Sequence, residues 1–370
     1  MKDIEESSRI VLKIGSALLV EPETGRLNSG WLSSVISFIA AHNDKQWIIV
    51  SSGAVALGRP ALTIDKTKAT SDLTLEQKQA AAAIGQVMLS RNYCDLFERN
   101  NMASGQILLS LADTEDRRSH LNARATIETL LDNSIVPVIN ENDSVATQEI
   151  RFGDNDRLAA RVSQMMNADL LILLSTTDGL YDKDPGQHDD ARHIPEVRQI
   201  DATILNYADK NISPISTGGM ISKLEASKIA VEAGANVIIA DGRRPDPLPV
   251  NDRYTRFYAK DTPHKARKKW IRAHLKPAGE VVVDEGAVKA LHSGKSLLPV
   301  GVVEIKGNFN RGDCVLIKDT DKRLIGRGLI AYDKAQADKI TGQQTGDIQK
   351  ILGYKGRREV IHRDNLVLED

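Results

Sequence analysis

Two short clusters of acids and carboxamides have the composition of a working site. The apolar run Val136-Pro137-Val138-Ile139 stops in Asn140-Glu141-Asn142-Asp143, and about ten residues later Gly153-Asp154-Asn155-Asp156 opens a helical pattern. In an open α/β sheet, ligands bind at the carboxyl ends of strands and the amino ends of helices. Clusters of this kind in that position grip a small polar ligand and handle cations. The same residue types also make strand-end turns and helix caps, and spacing alone leaves both readings open.

Two lysines sit where a lysine needs a reason. Lys13 interrupts the buried-strand pattern Ile10-Val11-Leu12-Lys13-Ile14-Gly15-Ser16. A buried ammonium must find anionic partners, and beside a glycine turn it can reach a phosphate as a point charge. A lysine snorkelling from a strand tip is the plainer alternative. Lys223 falls in the first turn of a helix that follows Thr217-Gly218-Gly219-Met220-Ile221-Ser222. A glycine pair costs backbone entropy, and a first-turn lysine opposes the helix dipole unless an anion sits there. The combination favours phosphate binding, though it is not a Walker A sequence.

Weaker signals lie at two other strand ends. Ser51-Ser52-Gly53-Ala54 lets backbone N–H groups approach a carboxylate or phosphate, although such a run is more often a tight turn. Ser175-Thr176-Thr177-Asp178-Gly179-Leu180-Tyr181 ends the most apolar run, 169–176. It reads either as a flank for a nucleotide base or ribose, or as a hairpin turn, with Asp182 to Gly186 as the turn.

The elements that must position these residues alternate. Strands are expected at 9–16, 47–50, 106–109, 136–139, 169–176 and 236–242, the fifth central and the last closing the domain. Between them come a helix from Asn28 or Ser29, a long Ala-rich helix opened by the capping box Thr74-Leu75-Glu76-Gln77 and running to about Asn100, a charged helix continuing to Leu131, and the helices after Asp156 and Met220. Ala80 to Ala83 suit close helix packing or a subunit contact. The pattern predicts an α/β domain with a largely parallel central sheet flanked by helices.

From Arg243 to Pro277 the character changes. Pro245, Pro247 and Pro249 punctuate the chain, and residues 260–277 carry seven Lys/Arg against one Asp. A linker or an extended element between domains is expected there. From Ala278 short strands and turns predict a second, small β-barrel-like domain. Over 278–370 there are 15 Lys/Arg and 14 Asp/Glu, a poor footprint for tight nucleic-acid binding.

The chain of 370 residues is long enough for two domains and a sizeable core. A net charge of −1 excludes whole-molecule attraction to nucleic acid or membrane. Cys94 and Cys314 lie far apart, which excludes a metal knuckle and suits a reducing compartment. The opening Met1-Lys2-Asp3-Ile4-Glu5-Glu6 is too polar for a signal peptide, and no apolar run is long enough to span a bilayer. A cytoplasmic protein with no membrane partner is expected.

In this order the motifs Val11-Leu12-Lys13-Ile14-Gly15-Ser16, Val50 to Ala54, Val136 to Asp143, Gly153 to Asp156 and Thr217 to Lys223 resemble the glutamate 5-kinase family of the amino-acid kinase superfamily. Pro277-Ala278-Gly279-Glu280, Asp284-Glu285-Gly286-Ala287, Ser296-Leu297-Leu298-Pro299, Gly307-Asn308-Phe309 and Arg311-Gly312-Asp313 resemble a PUA domain. The resemblance covers nearly the whole chain. It implies a three-layer kinase domain over 1–255, a linker over 256–277 and a PUA-like domain over 278–360.

The implied activity is ATP-dependent phosphorylation of the γ-carboxylate of L-glutamate, the first step of proline synthesis. Lys13, Lys223 and Asp156 would be catalytic. Ser52, Gly53, Ala54, Asp143 and Asn155 would hold glutamate. Lys13, Ser175, Thr176 and Thr217, Gly218, Gly219, Met220, Ile221, Ser222 and Lys223 would hold ATP; the family often has Asp where this chain has Thr176. Asp156 and Asp154 would position the ammonium groups or hold Mg²⁺ through phosphates and water. Proline as feedback inhibitor and a homo-oligomer, dimer or tetramer, are family expectations. A sister kinase acting on another acid or on a nucleoside monophosphate, and an RNA-binding protein built around the small domain, are the alternatives.

Overall fold

The computed structural model describes residues 2–64, 72–145, 154–209, 219–248 and 253–369. Its contacts divide the chain into Met1–Pro263 and His264–Asp370.

Among the described residues the first unit has ten strands: β1 Arg9–Ile14, β2 Gln46–Val50, β3 Ala103–Leu109, β4 Ile135–Glu141, β5 Leu170–Ser175, β6 Leu180–Tyr181, β7 His193–Ile194, β8 Glu196–Val197, β9 Asn236–Asp241 and β10 Tyr254–Phe257. Eight of them form one sheet in the order β3-β4-β2-β1-β5-β9-β10-β8, while β6 and β7 pair as a separate hairpin. Every neighbouring pair from β3 to β9 is parallel. The expected fold class is therefore met. From β1 the chain moves through β2 to β3 and β4 on one side, and then through β5 to β9 on the other. The order thus reverses between β1 and β5, where α/β sheets place their ligands.

Both faces are covered. Ile10, Leu12, Ile14, Trp47 and Ile49 enter one core with the helix Ser29–Ala41 and the far half of the helix Leu75–Arg99. Val11, Ile48, Val50, Leu171 and Leu173 enter the other with the helices Asp154–Met166 and Met220–Glu232. All of β5 is buried, as its unbroken apolar run predicts for a central parallel strand.

The helix starts follow their caps. Asn28 accepts from Trp31 N–H at the head of Ser29–Ala41. Thr74 Oγ1 accepts from Gln77 N–H, and Gln77 Oε1 accepts from Thr74 N–H. Replacing Thr74 with alanine is expected to cost about 1 kcal/mol of stability, read as a lower midpoint in urea with an unchanged slope.

Three expectations are corrected. The charged helix to Leu131 is two helices, Leu111–Glu115 and Arg117–Asp132, because Asp116 takes an extended conformation and caps the second through Ser119 N–H. The strand ending at Asp241 is not the last. β10 adds to it antiparallel, burying Thr255 and Phe257, while Arg256 reaches Asp3 at 2.6 Å. That charged residue in a four-residue strand hid it. The segment 256–277 is also no plain linker. It holds the end of β10 and the helix Pro263–His274, whose Lys, Arg and Ala content favours helix as much as solvent.

The second unit takes most of that helix. Ile271 packs with Cys314, Leu329 and Val367, and Arg267 donates to Asn365 Oδ1. Its five strands are β11 Gly279–Val283, β12 Val302–Gly307, β13 Cys314–Lys318, β14 Leu324–Leu329 and β15 Leu366–Leu368, in the order β12-β11-β13-β14-β15. The last strand lies beyond residue 360, where the small domain was expected to end.

Cys94 and Cys314 are free thiols. Among the described residues no helix is long and apolar enough to cross a membrane.

Candidate active site

The carboxyl ends of β4, β2, β1 and β5 lie side by side. Lys13 is opposite Val50 of β2 and Leu173 of β5. It follows Val11 by two positions, so it leaves the sheet on the same face, the one covered by Asp154–Met166 and Met220–Glu232. Each of those helices buries a stripe of small residues. Asp156 shares its stripe with Ala159, Ala160 and Ser163; Lys223 shares its own with Ala226, Ser227 and Ala230. Side chains three, four and seven positions apart fall on one helix face, and small ones let the two helices pack against each other. The first turns of both helices are thereby brought over the end of β1.

There Asp156, 0% exposed, is gripped from two sides. Lys13 Nζ lies 2.5 Å from its Oδ1, and Lys223 Nζ lies 3.3 Å from its Oδ2. Ser222 Oγ also donates to Oδ2 at 3.1 Å. Burial alone would push the Asp156 carboxyl up; the two ammonium groups and the Lys13 and Ser222 hydrogen bonds outweigh it and hold it below the usual carboxylate range. For Lys223, burial acts first and lowers the ammonium, Asp156 raises it, and Lys13 lowers it again, leaving it below the ordinary lysine value. Asp156 moves down because two ammonium groups face one carboxylate, whereas Lys223 moves down chiefly because it is buried. Two ammonium groups thus converge on one carboxylate in a place where few waters reach, an arrangement that suits a polyphosphate.

Of the residues expected to hold glutamate, Ser52, Gly53, Ala54 and Asp143 follow the neighbouring strand ends, and Asn155 lies in the helix over them. Ser51 N–H donates to Ile139 O at 2.8 Å, which ties the end of β2 to the end of β4. Ser52 is buried and Gly53 has φ +95°, a left-handed turn that suits glycine. The short helix Ala54–Gly58 starts there. Asp143 opens the turn Asp143–Val145 just past β4. Asn155 precedes Asp156 in the first helical turn, and its buried Oδ1 has no hydrogen-bond partner among the described residues. A buried acceptor left in this way is a place for a ligand donor such as an ammonium group.

Of the residues expected to hold ATP, Ser175 is buried at the end of β5 opposite Asp241, and Thr176 is exposed beyond it. Gly219 is the N-cap of Met220–Glu232, with Met220 partly buried and Ile221 exposed. Thr217, Gly218 and Gly153 lie outside the described residues, as does the side chain of Asp154. The loop after β5 leads into the hairpin β6–β7, so the plainer of its two readings also holds.

Lys13 faces Oδ1 of Asp156, while Lys223 and Ser222 face Oδ2, the contacts that the expected positioning of two ammonium groups requires. Among the described residues no group of three or more His, Cys, Asp or Glu side chains could hold a metal ion.

Sequence reasoning missed residues behind the site. Asn140, 2% exposed, donates through Nδ2 to Gln86 Oε1 at 2.7 Å. Tyr93 donates to Ser51 Oγ at 3.1 Å, and Ser51 Oγ donates to Ser52 O. Burial and its lost hydration push the Tyr93 phenol up, against the Ser51 hydrogen bond. An asparagine ending a buried strand was the available signal, since a buried carboxamide must have a partner.

Residues 8–241 match the amino acid kinase family, and residues 279–352 match the PUA domain. A glutamate 5-kinase of Bartonella henselae is 52% identical over 97% of this chain and 95% of its own length. One of Brucella ovis is 53% identical over 100% of this chain and 97% of its own length. Among solved structures, an isopentenyl phosphate kinase aligns at 18% identity with a TM-score of 0.46, covering 67% of this chain and 99% of that one. With relatives this similar along their whole length, the chain belongs to the glutamate 5-kinase family of amino acid kinases, with a PUA domain after the kinase domain.

Proposed function

We propose that this chain transfers the γ-phosphoryl group of ATP to the γ-carboxylate of L-glutamate, giving γ-glutamyl phosphate for proline synthesis. The observation that carries the reading is the Lys13–Asp156–Lys223 cluster, two buried ammonium groups converging on one carboxylate at the strand ends. A carboxylate is already ionised at neutral pH and needs no general base. What the reaction needs is two anions brought together and the transferring charge stabilised. Lys13 and Lys223 flank the β- and γ-phosphates, and Asp156 fixes the direction of both ammonium groups.

Glutamate is held on the β2 and β4 side. Ser52 and the N–H groups of Gly53 and Ala54 donate to a carboxylate, while Asp143 and Asn155 accept from the α-ammonium group. Ser175, Thr176 and the stretch Gly219 to Lys223 hold the nucleotide, together with Thr217 and Gly218. Mg²⁺ arrives on the phosphates and is held there and by water. Cytoplasmic location, feedback inhibition by proline and a dimer or tetramer belong to the same proposal.

Trapping the acyl phosphate with hydroxylamine, across a panel of amino acids with ATP, tests the reading. Hydroxamate with glutamate alone supports it; hydroxamate only with acetylglutamate, or none, overturns it. Asp143→Asn is expected to raise the glutamate KM about 10- to 100-fold, the worth of one hydrogen bond to a charged group. The ATP KM stays where it was.

A second reading concerns the small unit alone. Drawn from His264, it has 21 Lys/Arg against 14 Asp/Glu, a net of +7 where 278–370 has +1. Lys268, Lys269, Arg272, His292, Lys295 and Arg363 line a cavity of about 530 Å³ within it. That basic lining favours a polyanion such as structured RNA. Filter binding that is salt-sensitive and tighter than micromolar supports this; weaker or salt-independent binding overturns it.

A further inference from the structure

The long helix Leu75–Arg99 lies behind the amino-acid side of the site without belonging to any motif that named it. It packs against the short helix Ala54–Gly58 and against the turn Asp143–Val145, the two segments that bear the proposed glutamate ligands. Two of its residues, Gln86 and Tyr93, reach the strand ends themselves, and Gly85 lies against the backbone of Ala54 and Gly58 in the short helix. Gln86 takes the hydrogen bond from Asn140, and Tyr93 donates to Ser51.

We propose that Gln86 is a positioning residue for the amino-acid pocket, acting through Asn140. The Asn140 carboxamide is held at both ends: its Oδ1 accepts from Glu141 N–H at 2.9 Å, and its Nδ2 donates to Gln86 Oε1 at 2.7 Å. With those two bonds made, the carboxamide cannot turn, and its second Nδ2 hydrogen has one fixed direction. Asn140 stands beside the Ser51–Ser52 turn, because Ser51 N–H is bonded to Ile139 O. The ligand group suited to that hydrogen is a carboxylate oxygen of the bound amino acid. Without Gln86 the carboxamide can rotate and present its oxygen instead, which repels a carboxylate. Lys13, Asp156 and Lys223 belong to the other face of the sheet and do not depend on this bond.

The inference rests on the glutamate reading, and its test separates the two. Full-length Gln86→Met keeps the side-chain length and removes the acceptor; Gln86→Glu keeps an acceptor for Asn140. Gln86→Met is expected to raise the glutamate KM about tenfold, with kcat, the ATP KM and the thermal midpoint nearly unchanged. Gln86→Glu is expected to keep more of the glutamate affinity than Gln86→Met. In the double variant with Asn140→Ala, the glutamate KM should equal that of Asn140→Ala alone. Multiplying effects, an equal rise in the ATP KM, or a Gln86→Met enzyme with the parent KM each overturn the proposal while leaving the activity assignment standing. A parent protein that forms no hydroxamate with glutamate overturns the assignment, and the inference with it.

Discussion

Replacing Lys223 with alanine is expected to lower turnover about 10²–10³-fold, the loss seen when one preorganised group facing transition-state charge is removed, with the fold intact. The fold survives because Asp156 keeps its closer partner, Lys13 at 2.5 Å, and keeps Ser222 as donor. The change leaves the Asp156 carboxylate paired with Lys13, so the penalty for stranding that buried charge does not apply. Hydroxamate formation and thermal unfolding, measured on the same preparations, check both halves. Turnover near the parent level, or unfolding that accounts for the loss, contradicts the phosphate-clamp role.

The same lysine gives the pH profile its sign. Burial first, and then Lys13, holds the Lys223 ammonium below the ordinary lysine value. The clamp needs the charged form, so kcat/KM should fall on an alkaline limb that begins below the normal lysine range of about 10.4. Bound phosphates favour the ammonium form, so the corresponding limb of kcat lies at higher pH. Lys223→Arg stays charged across that range; its turnover is lower, because a planar fork does not replace a point charge, but the alkaline limb should vanish.

The chemistry was legible in the sequence wherever a residue broke a local rule. Lys13 in a buried strand, a glycine pair before a first-turn lysine, and acids ending an apolar run each ask for a ligand, and the structure brings Lys13, Asp156 and Lys223 within ion-pair reach. The direction of Asp156 was not legible. A water-mediated hold on Mg²⁺ and the positioning of ammonium groups ask for the same residue type, and only the placing of two helix starts over β1 brings both ammonium groups onto Asp156. Segments whose composition fits two environments were misread for a similar reason. The basic run before Pro277 suits a solvated linker and a surface helix equally, and only Ile271 and Leu275 mark its packed side. The support behind the pocket was silent because Gly58, Gly85, Gln86 and Tyr93 are ordinary residues in ordinary helices. Their meaning comes from a crossing between segments about thirty residues apart.

That crossing yields a prediction as large as the first. At Gly85 an added Cβ would lie 1.8 Å from Ala54 O, and at Gly58 one would lie 1.9 Å from Ala81 O. Both neighbours are backbone, so no rotamer change relieves the overlap, and one helix must move. The element that gives way is the short helix Ala54–Gly58, which has five residues against twenty-five and begins at the Ser52–Gly53 turn. Gly85→Ala is therefore expected to displace the glutamate turn by an ångström or so, costing about 10²-fold in kcat/KM for glutamate. The ATP KM should stay within a few-fold, because the lysine clamp is built on the opposite face of the sheet. Overpacking should also lower stability by about 1–3 kcal/mol. Gly85→Ala with parent kinetics, or with ATP and glutamate KM raised together, would mean that the long helix does not set the position of the substrate turn.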